Sequence, residues 1–308
     1  MPLAGGLRVL KSTPPILVST APRYLRMAQW TIQRIEEYWP EHPEVIISGA
    51  EGDSRALPLL EDPADWMRVT ASACRNLLVK GFDQAYLILD DHPPIARCHA
   101  GFLAQKIPLM LRLKNATVCS LVGPGPILKR KGCWEEIDGS RFEKLPSDES
   151  WKLGLHPALW SLEKLLAILE GLIERLPAEQ HNPWAFERIG SSEVDGGVNK
   201  DLLASCWRVD GWESATSEAR HLHDWPDSYA RAALRVATIA LRPFGKSAEV
   251  FKERVAGLWH PRLGAYPCFW SGVMKKGALN SDYGFYSRFK NRPALAAGLK
   301  EAFAGASK

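Results

Sequence analysis

The chain has 308 residues, 46% hydrophobic and 24% charged, which fits a globular protein of one large or two ordinary domains and excludes a low-complexity chain. No run of about 18 apolar residues occurs, so no transmembrane helix is expected, and the opening MPLAGGLRVLKSTPP lacks the basic start and long apolar middle of a signal peptide. The formal net charge is only +4, but residues 229–308 hold 14 Lys/Arg against 4 Asp/Glu, leaving the preceding part acidic.

Pro15–Thr20 is apolar and β-branched and predicts a first strand, followed by a turn at Thr20-Ala21-Pro22-Arg23. Apolar residues at helical spacing predict a helix over Tyr24–Trp39, ended by Pro40 and Pro43. Glu44–Gly49 reads as a second strand. Pro63–Lys80 reads as a second helix with Asp62 as its cap. Asp83–Leu89 reads as a third strand, which runs into Asp90-Asp91-His92-Pro93-Pro94. This alternation indicates an α/β fold with a largely parallel sheet, in which ligands bind at the carboxyl ends of strands. Both Thr20–Arg23 and Asp90–His92 lie at such ends.

Further along, Ala96–Lys114 predicts a helix that Pro108 kinks or divides. Thr117–Val122 predicts a strand, and Gly123–Ser150 reads as loops with a hairpin. Ser161–Leu176 is an amphipathic helix, and Gly190–Gly197 is a flexible link. A helix from Tyr229 to Leu241 and a basic tail follow. The six cysteines are scattered without a CxxC pair, which argues against zinc and against a disulfide framework and suits reduced core thiols of a cytoplasmic protein. The basic C-terminal region suits a phosphate-bearing ligand, an anionic membrane or nucleic acid, and equally an ordinary solvated surface. Some of the 12 tryptophans suit sugar stacking; others belong in the core. No P-loop, dinucleotide-binding, G-x-S-x-G or H-E-x-x-H motif occurs.

Three blocks carry a family resemblance. They are the strand ending in Asp90-Asp91-His92; Leu155-His156-Pro157-Ala158-Leu159-Trp160 with its Leu-rich helix and Asn182-Pro183-Trp184-Ala185-Phe186-Glu187; and Tyr266–Gly277. Together they resemble bacterial GT-A-type glycosyltransferases of polysaccharide and lipopolysaccharide assembly, over roughly residues 15–190 and a patch near 266–280. Two positions depart from that pattern: His156 stands where Gln is usual, and His92-Pro93 where an aromatic or acidic residue is common.

The resemblance implies a GT-A-like, Rossmann-type, mostly parallel sheet flanked by helices. Residues 1–190 form the nucleotide-sugar-binding and catalytic core, and residues 191–308 a helical, basic extension that completes the donor/acceptor cleft. It implies transfer from a nucleotide diphosphate-sugar to a glycan or lipid-linked acceptor, without nucleic acid, in the cytoplasm or peripherally on the inner face of the membrane. Thr20, Ala21, Arg23, Asp53, Asp90 and Asp91 are expected to seat the donor, with Trp66 flanking, and Lys275 and Lys276 to approach the diphosphate. Asp91 and His92 would hold Mn²⁺ or Mg²⁺. His156, Trp160 and Trp184 would meet the acceptor. Glu187, in an aromatic setting that raises a carboxylate's pKa, would be the general base of an inverting displacement. Two rivals are a catalytically degenerate GT-A-like binding protein and a nucleotidyltransferase of similar topology, which commonly carries a Gly-rich, basic N-terminal loop that Thr20–Arg23 is not.

Overall fold

A computed structural model describes residues 13–94, 98, 100–121, 133–146, 152–192, 200–209, 240, 273–275, 278–279 and 293–306. The helix expected over Tyr229–Leu241, apart from position 240, and Lys276 lie outside the described residues.

The protein is α/β, with an eight-stranded mixed sheet flanked by helices. Its strands are β1 (Ile16–Ser19), β2 (Val45–Ser48), β3 (Gln84–Leu89), β4 (Val118–Ser120), β5 (Cys133–Ile137), β6 (Ser140–Lys144), β7 (Ala158–Ser161) and β8 (Cys206–Val209), in the order β2-β1-β3-β7-β4-β8-β6-β5. β1 pairs in parallel with β2 and β3, and β4 with β8. The pairings β3–β7, β7–β4, β8–β6 and β6–β5 are antiparallel. The expectation of a mostly parallel sheet therefore holds within β2-β1-β3, and β7 breaks it. β5 and β6 are the expected hairpin.

β1 and β2 are buried along their whole length, which suits their apolar, β-branched sequences. Side chains of alternate residues go to opposite faces. Ile16 and Val18 of β1, Tyr86 and Ile88 of β3 and Trp207 of β8 join α1 (Leu25–Tyr38) and α3 (Ile107–Leu113) on one face. Leu17, Ala85, Leu87, Trp160 and Cys206 join α2 (Trp66–Val79), α4 (Leu162–Arg175) and α5 (Pro183–Gly190) on the other. Each fully buried Leu or Ile in these layers contributes roughly 1.5–3 kcal/mol.

The expected helix over Ala96–Lys114 is described from position 100 onward. It passes through a wider π turn at Phe102–Lys106 before α3. Pro108, near the start of α3, has no N–H to give to the preceding turn, and the ladder widens just before it.

The chain past residue 190 returns to this sheet. After α6 (Lys200–Ala204), β8 lies between β4 and β6. A short hairpin follows, of β9 (Met274–Lys275) and β10 (Ala278–Leu279). The last helix, α7 (Pro293–Ala306), packs Leu299 and Ala302 against Met27 and Trp30 of α1, with Val273. Residues 191–308 therefore supply a sheet strand as well as helix. No helix among the described residues is long and apolar enough to cross a membrane.

Candidate functional site

A cleft of about 690 Å³ opens where β1 and β3 end. Its walls come from Ser19 to Tyr24, Asp62 to Ala64, Trp66 and Val69, Leu89 to Asp91, Asn182, Pro183 and Met274. Five of the expected donor residues, Thr20, Ala21, Arg23, Asp90 and Asp91, thus line one cavity. The parallel pairing of β1 and β3, Ser19 opposite Leu89, brings the two strand ends side by side.

Asp90 belongs to the core as much as to the cleft. Its N–H donates to the Ser19 carbonyl at 3.0 Å, and its carbonyl accepts from Thr31 Oγ1 at 2.5 Å. Thr20 Oγ1 donates to Asp90 Oδ2 at 2.6 Å. Burial, and after it the negative charge of Asp91, push the Asp90 carboxyl up to about 8, so it holds a proton at neutral pH.

The strand stops at Leu89, and the His92 N–H donates to the Leu89 carbonyl at 3.0 Å. This turn replaces the extended geometry that would have set Asp90 and His92 on one face. The Asp91 carbonyl accepts from the Val273 N–H at 2.9 Å, which ties the acidic strand end to the segment leading into β9.

His92 is buried and leads away from the cleft toward a second polar group. Its Nε2 is 3.7 Å from Asp91 Oδ1, and its Nδ1 finds no hydrogen-bond partner among the described residues. The His156 ring lies 5.9 Å from the His92 ring, centroid to centroid. His156 is exposed at its surface, but the crowding around the ring and then the charge of His92 push its imidazole downward.

Glu187, on α5, completes the group. Leu155 N–H donates to Glu187 Oε1 at 2.6 Å. Burial raises the Glu187 carboxyl; the Leu155 N–H and His92 oppose the rise, and Asp91 adds to it. Glu187 can therefore hold or take a proton at a higher pH than a solvated carboxylate. Asn182 starts α5 by accepting the Ala185 N–H at 2.9 Å, with Pro183 at the first position. Phe186, one residue before Glu187, faces the core and meets Trp66 and Trp160 edge-on at 5.4 and 6.0 Å.

Other expected site residues stand apart from this group. Trp160 is 0% exposed, because its place in β7 turns the indole into the core. It cannot meet an acceptor there. Asp53 is not among the cleft residues: its carboxylate takes the Arg55 guanidinium at 2.9 Å and Gln29 at 3.2 Å, and the Arg55 hydrogen bond holds it well below the usual carboxylate range. Trp184 is 70% exposed, next to the cleft-lining Pro183. Lys275 lies in β9 beside Met274, which lines the cleft.

The structure also shows how other cleft residues are held. The Trp66 Nε1–H donates to Ser19 Oγ at 2.9 Å, which holds the largely buried indole in the cleft wall. The Arg23 guanidinium lies over the Tyr24 ring at 4.5 Å. Asp62, expected as the cap of α2, lines the cleft and accepts the Ala64 N–H at 2.9 Å, while Asp65 is the cap. Tyr24, Asn182, Pro183 and Met274 line the cleft too; the last three fall within the resembling blocks but had no expected site role.

Among the described residues, no three His, Cys, Asp or Glu side chains converge as a metal group. Asp91 and His92 approach each other as a pair, so a hard cation held by Asp91 would need further oxygen ligands, such as those of a bound diphosphate. No known protein family, curated protein or solved structure matches the chain.

Proposed function

We propose that the protein is a glycosyltransferase that moves a sugar from a nucleotide diphosphate-sugar to a surface-glycan or lipid-linked acceptor. The observation that carries this reading is the convergence of Thr20–Arg23 and Asp90-Asp91 on one cleft, with Glu187, which does not line that cleft, near enough to Asp91 to feel its charge. The cleft wall includes an indole at Trp66 and a cation at Arg23, which suit a nucleoside diphosphate. Mn²⁺ or Mg²⁺ bound with the diphosphate would neutralise charge on the leaving group.

In this mechanism Asp91, with His92 beside it, would hold the cation, which would neutralise charge on the diphosphate. Lys275 would approach the phosphates from the segment that Val273 ties to Asp91. An acceptor hydroxyl attacks the anomeric carbon, the bond from that carbon to the diphosphate oxygen breaks, and Glu187 takes the hydroxyl proton. The result is inversion by a single displacement. Trp184 and His156, both exposed, face the acceptor; Trp160 and Asp53 have no part. The setting is the cytoplasm or the inner face of the membrane, where a basic C-terminal region meets anionic lipid or a lipid-diphosphate acceptor.

A second reading is a degenerate binding protein of the same shape. The engagement of Asp90 by Thr20 and the core favours it, since the acidic pair then offers one carboxylate, Asp91, to a ligand. Calorimetry with a panel of nucleoside diphosphates, with and without Mn²⁺, tests the readings. Binding followed by sugar transfer supports the enzyme, and binding without transfer or sugar release supports the second reading. Absence of any nucleoside diphosphate binding defeats both. Pyrophosphate release from a nucleoside triphosphate would instead mark a nucleotidyltransferase.

A further inference from the structure

Behind the cleft wall, a buried histidine joins two segments that each contribute to it. His181 is 2% exposed. Its Nδ1 lies 2.8 Å from Asp65 Oδ2, and its Nε2 lies 3.0 Å from the Leu176 carbonyl. Its own carbonyl accepts the Met67 N–H at 3.2 Å. Asp65 is at the same time the cap of α2, accepting the Arg68 N–H at 3.0 Å.

Both partners sit next to cleft residues. Ala64 and Trp66 flank Asp65, while Asn182 and Pro183 follow His181, and all four line the cavity. Asn182 also caps α5, the helix that carries Glu187. One imidazole therefore connects the first turn of α2 to the first turn of α5.

We propose that His181 is a positioning residue whose Nδ1 contact with Asp65 clamps the two walls of the cleft and sets where α5 presents Glu187. The use made of Glu187 rests on the transferase reading, but the clamp does not.

Two substitutions separate the clamp from simple filling of space. The amide nitrogen of Asn lies near the position of a histidine Nδ1, and that of Gln near Nε2. His181→Asn keeps the bond to Asp65 and gives up the one to Leu176; His181→Gln does the reverse. A third variant, Asp65→Ser, keeps a good helix cap but is too short to reach His181. Hydrogen exchange of the full chain, read by mass spectrometry, should show residues 62–69 and 176–190 exchanging about tenfold faster or more in His181→Gln and Asp65→Ser. In His181→Asn these segments should stay near wild type, and β1 and α1 should be unchanged in all three. The opposite ranking, with Gln tolerated and Asn opened, overturns the clamp, as does a uniform rise in exchange across the chain. Calorimetry with nucleoside diphosphates on the same variants separates the two ideas. If wild type binds none of them while the exchange pattern holds, the transferase reading fails and the clamp stands.

Discussion

Asp90→Asn should reverse part of the pH dependence of stability. In the folded protein the Asp90 carboxyl is raised from 3.8 to about 8, chiefly by burial. Between those values the folded state holds a proton that the unfolded chain has released. The native state then binds more protons, so its stability falls as pH rises. The contribution is fully present below the unfolded value near 3.8 and is lost as pH passes the folded value near 8. At ~1.4 kcal/mol for each tenfold change in proton affinity, the loss over that window is on the order of 6 kcal/mol. Asn does not titrate, and its side-chain oxygen can still accept from Thr20 Oγ1. Urea unfolding of both proteins at intervals from pH 5 to 8.5, followed by tryptophan fluorescence, measures the difference. The variant should gain on wild type with each step in pH and level off near pH 8. Asp91→Asn should move the levelling-off to a lower pH without abolishing the gain, because burial is the larger cause and Asp91 the smaller. A difference that does not change with pH, or one in which wild type gains, would refute the account of Asp90 as a buried, protonated acid.

Glu187→Gln should lower transfer about 10²–10⁴-fold while nucleoside diphosphate affinity is retained; near-normal turnover would remove Glu187 as the base. Because burial raises Glu187, the acidic limb of the wild-type kcat–pH profile should lie above the ordinary carboxylate range, and Gln should erase it. Gly49→Ala should destabilise by about 1–3 kcal/mol in thermal unfolding, since Gly49 has φ +94° and an added Cβ would lie 2.0 Å from the Thr20 carbonyl oxygen. It should also weaken ligand binding, because Thr20 is the neighbour that must move. Arg208→Met should cost about 3–5 kcal/mol by leaving buried Glu143 without its 2.5 Å partner, and Arg208→Met with Glu143→Leu should recover most of that in a double-mutant cycle.

The first half of the sheet was legible because local chemistry dictates it. Ile16–Ser19, Val45–Ser48 and Gln84–Leu89 are short apolar runs between proline, glycine and acidic breaks, and each formed where expected to within a residue or two. β7 was not legible. Ala158–Ser161 flows straight into α4, so the sequence shows the start of a helix, and only its pairing with Gln84–Leu87 reveals a strand. That pairing also decides which way Trp160 points, so its burial was hidden along with it. Asp53 looked available as an acid, but an arginine two residues later engages it. The strand-end residues of the cleft were readable from the rule that α/β sheets bind ligands at their carboxyl ends. The grouping of His92 with His156 and Glu187 was not, since it depends on how α5 and the segment before β7 fold over the sheet.

The reversed strand β7 also fixes the order in which the site can form during synthesis. β1, β2 and β3 are complete once the chain has emerged as far as Leu89, and they can pair with one another at once. The far edge of β3 then waits for the whole stretch from Asp90 to Pro157 before its partner arrives. Until that point Gln84–Leu87 presents open backbone donors and acceptors to any passing strand. The half of the cleft that holds Thr20 and Asp90 therefore exists first, as a nascent chain with a vulnerable flank. β7 then covers that flank, with His156 just before it, and Glu187 follows further along the chain.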